Sequence, residues 1–411
     1  MALDPEELKK QRAERKLQRE KKRKQTIAKL IVAGCILLVS VVAILVVVLR
    51  QGANTSKPKE TDPTETAPAT TVVHLAAVGD LNITERVINS GSGDYDYADV
   101  LLDVAPILAQ ADITAVNFEG SLFGAPYGTD RSAPQGLAQS LANAGVDLVQ
   151  LANSYSIYKG MDGLVSTING VRSAGMEPLG VYESAAAAKS GKGYTIRNVQ
   201  GIKIAFVAFT KGMDGMALPP GNDGCVNLLY TDYSSDYQTI NTEGITEILD
   251  AAAKEKPDLT VAFLHWGSEY NDTVSASQTE ICALLQEKGV DAIIGTHSHY
   301  IQPINYDAQT GNLIAYSLGD FLGDASRAGS EYSIILDLEI TKDLASKKTR
   351  ITGFDYTPIF TRNEKNSPLQ VLRIEEAMAA YDSGYIDRVS EKTYESMTYA
   401  LERIEARIKG K

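Results

Sequence analysis

Three of the four histidines in the chain fall between Leu259 and His299. His265 ends the apolar run Thr260 to Leu264, and His297 and His299 follow Ala292 to Gly295. Each run is too short for a free-standing helix and reads as a strand buried on both faces, so the imidazoles stand where a central strand gives way to a loop. That is where α/β proteins place chemistry. One histidine past a buried strand often only caps a core, but a His-x-His pair beside a third points to metal. In extended chain, residues two apart face one side, so His297 and His299 are expected to present nitrogens to one centre.

Acids end two further strands: Asp80 in Val78-Gly79-Asp80-Leu81-Asn82, and Glu119 in Asn117-Phe118-Glu119-Gly120. Singly, each reads as well as a turn residue. Together Asp80, Glu119, His265, His297 and His299 make a nitrogen and oxygen ligand set of the kind that holds a divalent Zn, Mn or Fe ion.

These residues must be positioned by alternating strands and helices. Val73 to Val78, Ile113 to Val116 and Asp147 to Leu151 read as strands, separated by helical stripes through Val100, Val104 and Leu108 and through Leu137 and Leu141. Leu164, Ile168 and Val171 form the next helix, stopped by Gly175. Tyr194 to Val199 and Ile202 to Thr210 form a hairpin, and the Gly/Pro-rich loop Lys211 to Gly224 is placed to rim a site. Helices marked by Ile245 and Leu249 and by Ile281 and Leu285 precede the two histidine strands. Further strands at Gln302 to Tyr306, Leu313 to Ser317, Ser333 to Ile340 and Ile351 to Tyr356 close an α/β domain with a mixed sheet, or with two sheets between helical layers. Tyr394, Met397, Leu401, Ile404 and Ile408 step by three and four, an amphipathic helix that packs on the domain.

Charge is distributed unevenly. Residues 1–29 carry 11 Lys/Arg against 5 Asp/Glu, a net of +6, whereas residues 51–411 hold 28 basic and 47 acidic residues, a net of −19. Leu30 to Leu49 is an uncharged apolar run of 20 residues, enough at about 1.5 Å per residue to cross a hydrocarbon core of about 30 Å. The basic arm before it keeps the N-terminus cytoplasmic and sends the rest outward. A cleaved signal peptide is the rival, but Val48-Leu49-Arg50-Gln51 offers no small-residue cleavage site. The arm suits anionic inner-leaflet lipid, and beside a membrane span nucleic-acid binding is excluded as its purpose. Residues 50–71, rich in Thr, Pro, Lys and Glu, form a disordered extracellular linker. The three cysteines, Cys35, Cys225 and Cys282, support neither a disulfide framework nor a thiolate metal site.

A run of motifs then carries a resemblance. Gly79-Asp80, Asn117-Phe118-Glu119-Gly120, Leu151-Ala152-Asn153, Met161-Asp162-Gly163-Leu164, His265-Trp266-Gly267-Ser268-Glu269-Tyr270, Gly295-Thr296-His297-Ser298-His299 and Ala315-Tyr316-Ser317-Leu318-Gly319-Asp320-Phe321 match, in order, those of the CapA-like poly-γ-glutamate capsule synthesis proteins. That family resembles the calcineurin-like metallophosphoesterases. The resemblance implies a four-layer α/β/β/α sandwich over 72–361, preceded by a single N-terminal transmembrane helix at 30–49 and followed by a helical segment at 362–411. It implies one or two divalent ions (Mn, Zn, Fe or Mg) held by the five ligands named above, with Asn82, Asn117, Glu269 and Asp320 contacting substrate. It further implies a bacterial cell-surface location, with capsule polymer and membrane-bound synthesis or export subunits as partners.

One motif departs from the family. Where relatives carry Ala-Asn-Asn-His, with an Asp three residues on, this chain has Asn153 followed by Ser154, Tyr155 and Tyr158. In the phosphoesterases the replaced Asn is a metal ligand and the replaced His assists the transition state. Serine's neutral hydroxyl is a poor metal ligand, and tyrosine, with an ordinary pKa of about 10, is a weak general acid. Asn153 and Tyr155 are the remaining catalytic candidates. Three readings therefore stay open: a membrane-anchored assembly or export factor, an active metallohydrolase, and a metal-free binding domain.

Overall fold

The two faces of the first strand are buried in different cores, and this divides the domain into layers. Val73, Leu75 and Ala77 enter one apolar cluster while Ala76 and Val78 enter another, as the period of two demands of a strand covered on both sides. The computed structural model describes residues 69–385 and 389–410. The expected basic arm, the transmembrane run and the linker as far as residue 68 lie outside the described residues. Among the described residues, no helix is long and apolar enough to cross a membrane.

The strands are β1 (Thr70–Asn82), β2 (Ile113–Glu119), β3 (Leu148–Gln150), β4 (Glu177–Leu179), β5 (Tyr194–Val199), β6 (Ile202–Thr210), β7 (Leu259–His265), β8 (Ala292–Thr296), β9 (Ile304–Asp307), β10 (Asn312–Ala315), β11 (Asp320–Leu322), β12 (Tyr332–Asp343), β13 (Thr349–Arg362) and β14 (Gln370–Arg373). The helices are α1 (Glu85–Ile88), α2 (Ala98–Leu101), α3 (Ala105–Leu108), α4 (Gln135–Asn143), α5 (Gly160–Ser173), α6 (Ala185–Gly191), α7 (Thr242–Lys254), α8 (Ala276–Glu287), α9 (Ile374–Asp382) and α10 (Glu391–Ile408). One sheet runs β14-β13-β12-β1-β2-β3-β4, with β11 added beside β1, and the other runs β5-β6-β7-β8-β10-β9. The strands that end at the site, β1, β2, β3, β7 and β8, pair in parallel, whereas β12 to β14 are antiparallel. In the second sheet β5 pairs antiparallel with β6, and β9 with β10, so both sheets are mixed.

Leu75, Ile113 and Leu148 of the first sheet share a core with Phe206, Val261 and Ile294 of the second. On the outer side of the first sheet Val116 and Val149 pack with Leu137 and Ile168 of α4 and α5. On the outer side of the second, Phe209, Leu264 and Ile293 pack with Ile245 of α7 and Ile281 and Leu285 of α8. The result is the four-layer α/β/β/α arrangement. Helix starts follow local chemistry: the Asn241 side chain accepts from the Gly244 N–H at α7, and Ser275 with Gln278 forms a capping box at α8. Met397, Ile404 and Ile408 of α10 are buried, as the helical stripe predicts.

Candidate metal centre

Parity decides which side chains can meet. Val261 and Phe263 of β7 face the inter-sheet core, so His265, two residues further, faces the first sheet. In the first sheet, Ala77 is in register with Ala115 but Asp80 with Asn117, so β1 has one residue more than β2 across this interval. This bulge turns Asp80 to the same side as Ala77, where an unbroken strand would have pointed it outward. The register continues with Asn82 opposite Glu119. Asp80, Asn82, Asn117, Glu119 and His265 thus converge between the sheets at their strand ends.

Two glycines permit the convergence. A Cβ on Gly79 would lie 1.7 Å from the Gly319 carbonyl oxygen, and that oxygen accepts from the Asp80 N–H at 3.0 Å. The contact sets β11 parallel to β1 with Asp320 opposite Asp80. A Cβ on Gly295 would lie 2.0 Å from the Tyr316 carbonyl oxygen, whose other neighbour is the buried Trp266 indole, donating at 2.9 Å. Only glycine allows backbones this close.

All five expected ligands are buried. Joined by Asp320, they fall into two groups, in each of which the donor atoms lie within 4.8 Å of one another: Glu119, His265 and His297 in one, and Asp80, His299 and Asp320 in the other. The sequence placed His297 and His299 on one centre by assuming extended backbone. Instead both residues are left-handed, with φ of 88° and 57°, so the chain coils between them and each imidazole joins a different group. Their rings stand 6.3 Å apart. Positive φ at two non-glycine residues is strained backbone, held here by the surrounding bonds, among them the His297 N–H donating to Asp80 Oδ2 at 2.9 Å.

Asn117 stands between the groups. Its amide nitrogen donates to Asp80 Oδ1 at 2.6 Å and lies 3.4 Å from Glu119 Oε1 and 3.3 Å from His265 Nδ1. Asn82 donates to Asp320 Oδ1 at 3.1 Å, and His299 Nδ1 lies 2.8 Å from the same oxygen. Asp320, read from the sequence as a substrate contact, therefore sits among the candidate ligands. Glu269 is exposed. Asn153 donates to Asn117 Oδ1 at 3.0 Å and to the Phe118 carbonyl at 2.7 Å, and accepts from the Tyr155 N–H. It ties the turn after β3 to the end of β2. Ser154 Oγ reaches His265 Nε2 at 3.1 Å. The Tyr155 hydroxyl accepts from Arg131 at 2.9 Å, and Tyr158 packs edge-on against the Tyr155 ring.

The electrostatics follow from burying charge. Burial pushes the His265 and His297 imidazoles well below their usual range, leaving them neutral, the form a metal needs. Burial raises Asp80, and raises Glu119 further because Asp80 stands beside it. Burial also works against a charged His299, yet Asp320, Glu119 and Asp80 outweigh it and push this imidazole up to about 10. Asp320 is raised by burial to about 6, against the pull of His299. Two neutral imidazoles and clustered buried carboxylates fit a hard or borderline divalent cation: each group offers three mixed N/O donors and leaves room for further ligands. Glu119, His265 and His297 would hold one ion, and Asp80, His299 and Asp320 a second. Bound there, a divalent cation would supply Lewis-acid chemistry and attraction for anions.

Sequence reading did not select Thr296, whose Oγ1 lies 3.3 Å from His265 Nδ1, although it sits within a quoted motif. It also passed over Arg131, in a loop without periodicity, and Lys211, whose only signal was that it opens the Gly/Pro-rich loop.

Capsule biosynthesis protein CapA of Bacillus anthracis is 25% identical over 264 residues, 61% of this chain and 59% of that protein, so this chain spans less than two thirds of that relative's length. PGA biosynthesis protein CapA of Bacillus subtilis (strain 168) is 24% identical over 312 residues, 73% of this chain and 74% of that one. Among solved structures, the calcineurin-like phosphoesterase YfkN from Bacillus subtilis aligns with a TM-score of 0.42 at 16% identity, over 81% of this chain and 99% of that one. A family model, bacterial capsule synthesis protein PGA_cap, matches residues 74–325, a stretch that contains every side chain of the two ligand groups, and the chain belongs to that family.

Proposed function

We propose that this protein is a membrane-anchored, extracytoplasmic accessory factor that helps synthesise or export an anionic surface polymer such as poly-γ-glutamate, using a metal-holding crevice that binds rather than cleaves. The observation that carries this reading is the pairing of two ligand groups with an altered third motif. The donors that would hold cations are present and preorganised, while the position of the family's assisting histidine is filled by Tyr155. Burial pushes the Tyr155 phenol above its ordinary range and outweighs the downward pull of Arg131, which donates to its oxygen. A phenol so placed holds its proton and is a poor general acid near neutral pH. The names of the capsule relatives support the polymer, and the apolar run at 30–49 with its basic flank supports the anchor. The net charge of −19 over residues 51–411 makes bridging by divalent cations the means of approaching a polyanion.

The test is complementation in a bacterial host that makes γ-linked polyglutamate and lacks its own accessory protein of this family. Surface polymer should return with the full chain and stay absent with His265→Ala/His297→Ala. Equal recovery with both chains would remove the metal crevice from the function, and no recovery with either would overturn the polymer reading. Turnover of an aryl phosphate by the purified wild-type chain at rates typical of enzymes would favour a hydrolase instead.

A further inference from the structure

From the geometry we infer that Arg131 and Lys211 form a cationic clamp beside the metal crevice that recognises an oxyanion group, carboxylate or phosphate, of the ligand. Both residues are connected to the end of the His265 strand, Arg131 through the turn after β3 and Lys211 through its own backbone. Arg131 stands over Tyr155, its guanidinium carbon 4.3 Å from the ring centre, and Tyr155 follows Ser154, the residue in contact with His265 Nε2. The Lys211 N–H donates to the His265 carbonyl at 2.8 Å.

Each side chain is held by neutral oxygens and an aromatic face; among the described residues neither forms a direct ion pair with a carboxylate, Glu119 attracting Arg131 and Glu269 attracting Lys211 only from further off. Arg131 donates to the Ile83 carbonyl at 3.3 Å and to the Tyr155 hydroxyl at 2.9 Å, which occupies two of the five N–H groups of a guanidinium. Lys211 Nζ donates to the Gly267 carbonyl at 2.8 Å and lies 4.6 Å from the Tyr237 ring centre. Both are half-buried, so their positions are set before a ligand arrives and little ordering entropy is lost on binding. A planar fork matches the two oxygens of a carboxylate or phosphate, and the ammonium adds a second point of attraction. Tyr155 thus has a use in this chain that a histidine would not serve as well: it is the platform on which a permanent cation is seated. The clamp also answers how a strongly acidic domain receives an acidic ligand, since the positive charge is local to the crevice.

This inference rests on the polymer-binding reading, and the experiment separates the two. The manganese-loaded full chain, purified in detergent, is titrated calorimetrically with γ-linked oligoglutamate and separately with inorganic phosphate, at equal metal content for every variant. Arg131→Ala and Lys211→Met should each weaken binding on the order of tenfold or more, as expected for loss of charge-assisted hydrogen bonds. Arg131→Lys should fall in between, keeping charge but losing the fork, and the distant exposed Arg350→Ala should match wild type. Wild-type affinity in Arg131→Lys and Lys211→Met, or an equal loss in Arg350→Ala, overturns the clamp. If Arg131→Ala does not fold, the lysine variant decides. Phosphate binding that depends on Arg131, with no response to oligoglutamate, upholds the clamp and overturns the polymer reading; no binding of either probe overturns both.

Discussion

Ser154 Oγ lies 3.1 Å from His265 Nε2, at the position where the family motif carries asparagine. With His265 neutral, one of its nitrogens is drawn toward a hydroxyl that is itself a weak metal ligand. Ser154→Asn replaces that hydroxyl with an amide oxygen suited to a hard cation. Manganese affinity of the full chain should rise about tenfold, the scale on which metal-site neighbours act, as measured by competition with a chelator. Unchanged affinity would show that Ser154 does not limit the site.

The division of the His-x-His pair predicts a stoichiometry. His297 joins Glu119 and His265, whereas His299 joins Asp80 and Asp320. In the manganese-loaded chain, His297→Ala and His299→Ala should therefore each remove about one ion of two, since each leaves the other group's three donors in place. Elemental analysis after gel filtration reads this directly. Loss of all metal in both variants would mean a single shared centre.

Most of what builds this crevice was legible in the sequence because burial on both faces leaves a plain record. Thr260–Leu264 and Ala292–Gly295 are unbroken apolar runs, and the strands they form end at the histidines, as β7 and β8. Four features were not legible. The bulge that re-aims Asp80 depends on pairing with β2, which no local pattern encodes. The strand β11 has three residues, too few for a period, and it exists because Gly79 and Gly319 let two backbones touch. Arg131 has left-handed backbone at φ 56° in the segment before α4, and its role comes from Tyr155, reached only through the fold. The strand β14 was hidden for the same reason as β11: four residues supply too little alternation to separate strand from loop.

The charge on His299 predicts how metal binding and stability respond to pH. In the metal-free chain its imidazole is pushed up to about 10 by Asp320, Glu119 and Asp80, against burial. A cation needs that nitrogen free, so binding near pH 7.5 should release about one proton per ion held by this group, and affinity should climb as pH approaches 10. Titrating metal in two buffers of different ionisation enthalpy counts the proton, and His299→Gln should abolish it. Stability runs the other way. Because folding raises this pKa above its ordinary 6.5, the proton's stabilisation is complete below that value and is lost as pH rises through about 10. The metal-free wild type should therefore lose stability between pH 7 and pH 10.5 relative to His299→Gln, as read by denaturant midpoints.

Gly79 tests whether the two ligand groups depend on backbone contact or only on the ligands themselves. A methyl group there would sit 1.7 Å from the Gly319 carbonyl oxygen, so β1 and β11 must separate. Overpacking of this kind costs about 1–3 kcal/mol, and a clash against backbone belongs at the upper end because no side chain can rotate away. The separation would also carry Asp80 from Asp320, which are in register across these strands, and would strain the 3.0 Å bond from the Asp80 N–H. Gly79→Ala should thus lower the denaturation midpoint and remove the ion held by Asp80, His299 and Asp320, while the ion held by Glu119, His265 and His297 is retained. Gly353→Ala, at a β13 position where a Cβ would meet nothing within 4 Å, is the matched control and should keep both ions. A Gly79→Ala chain with full stability and two ions would show that the glycine pair does not position the carboxylates.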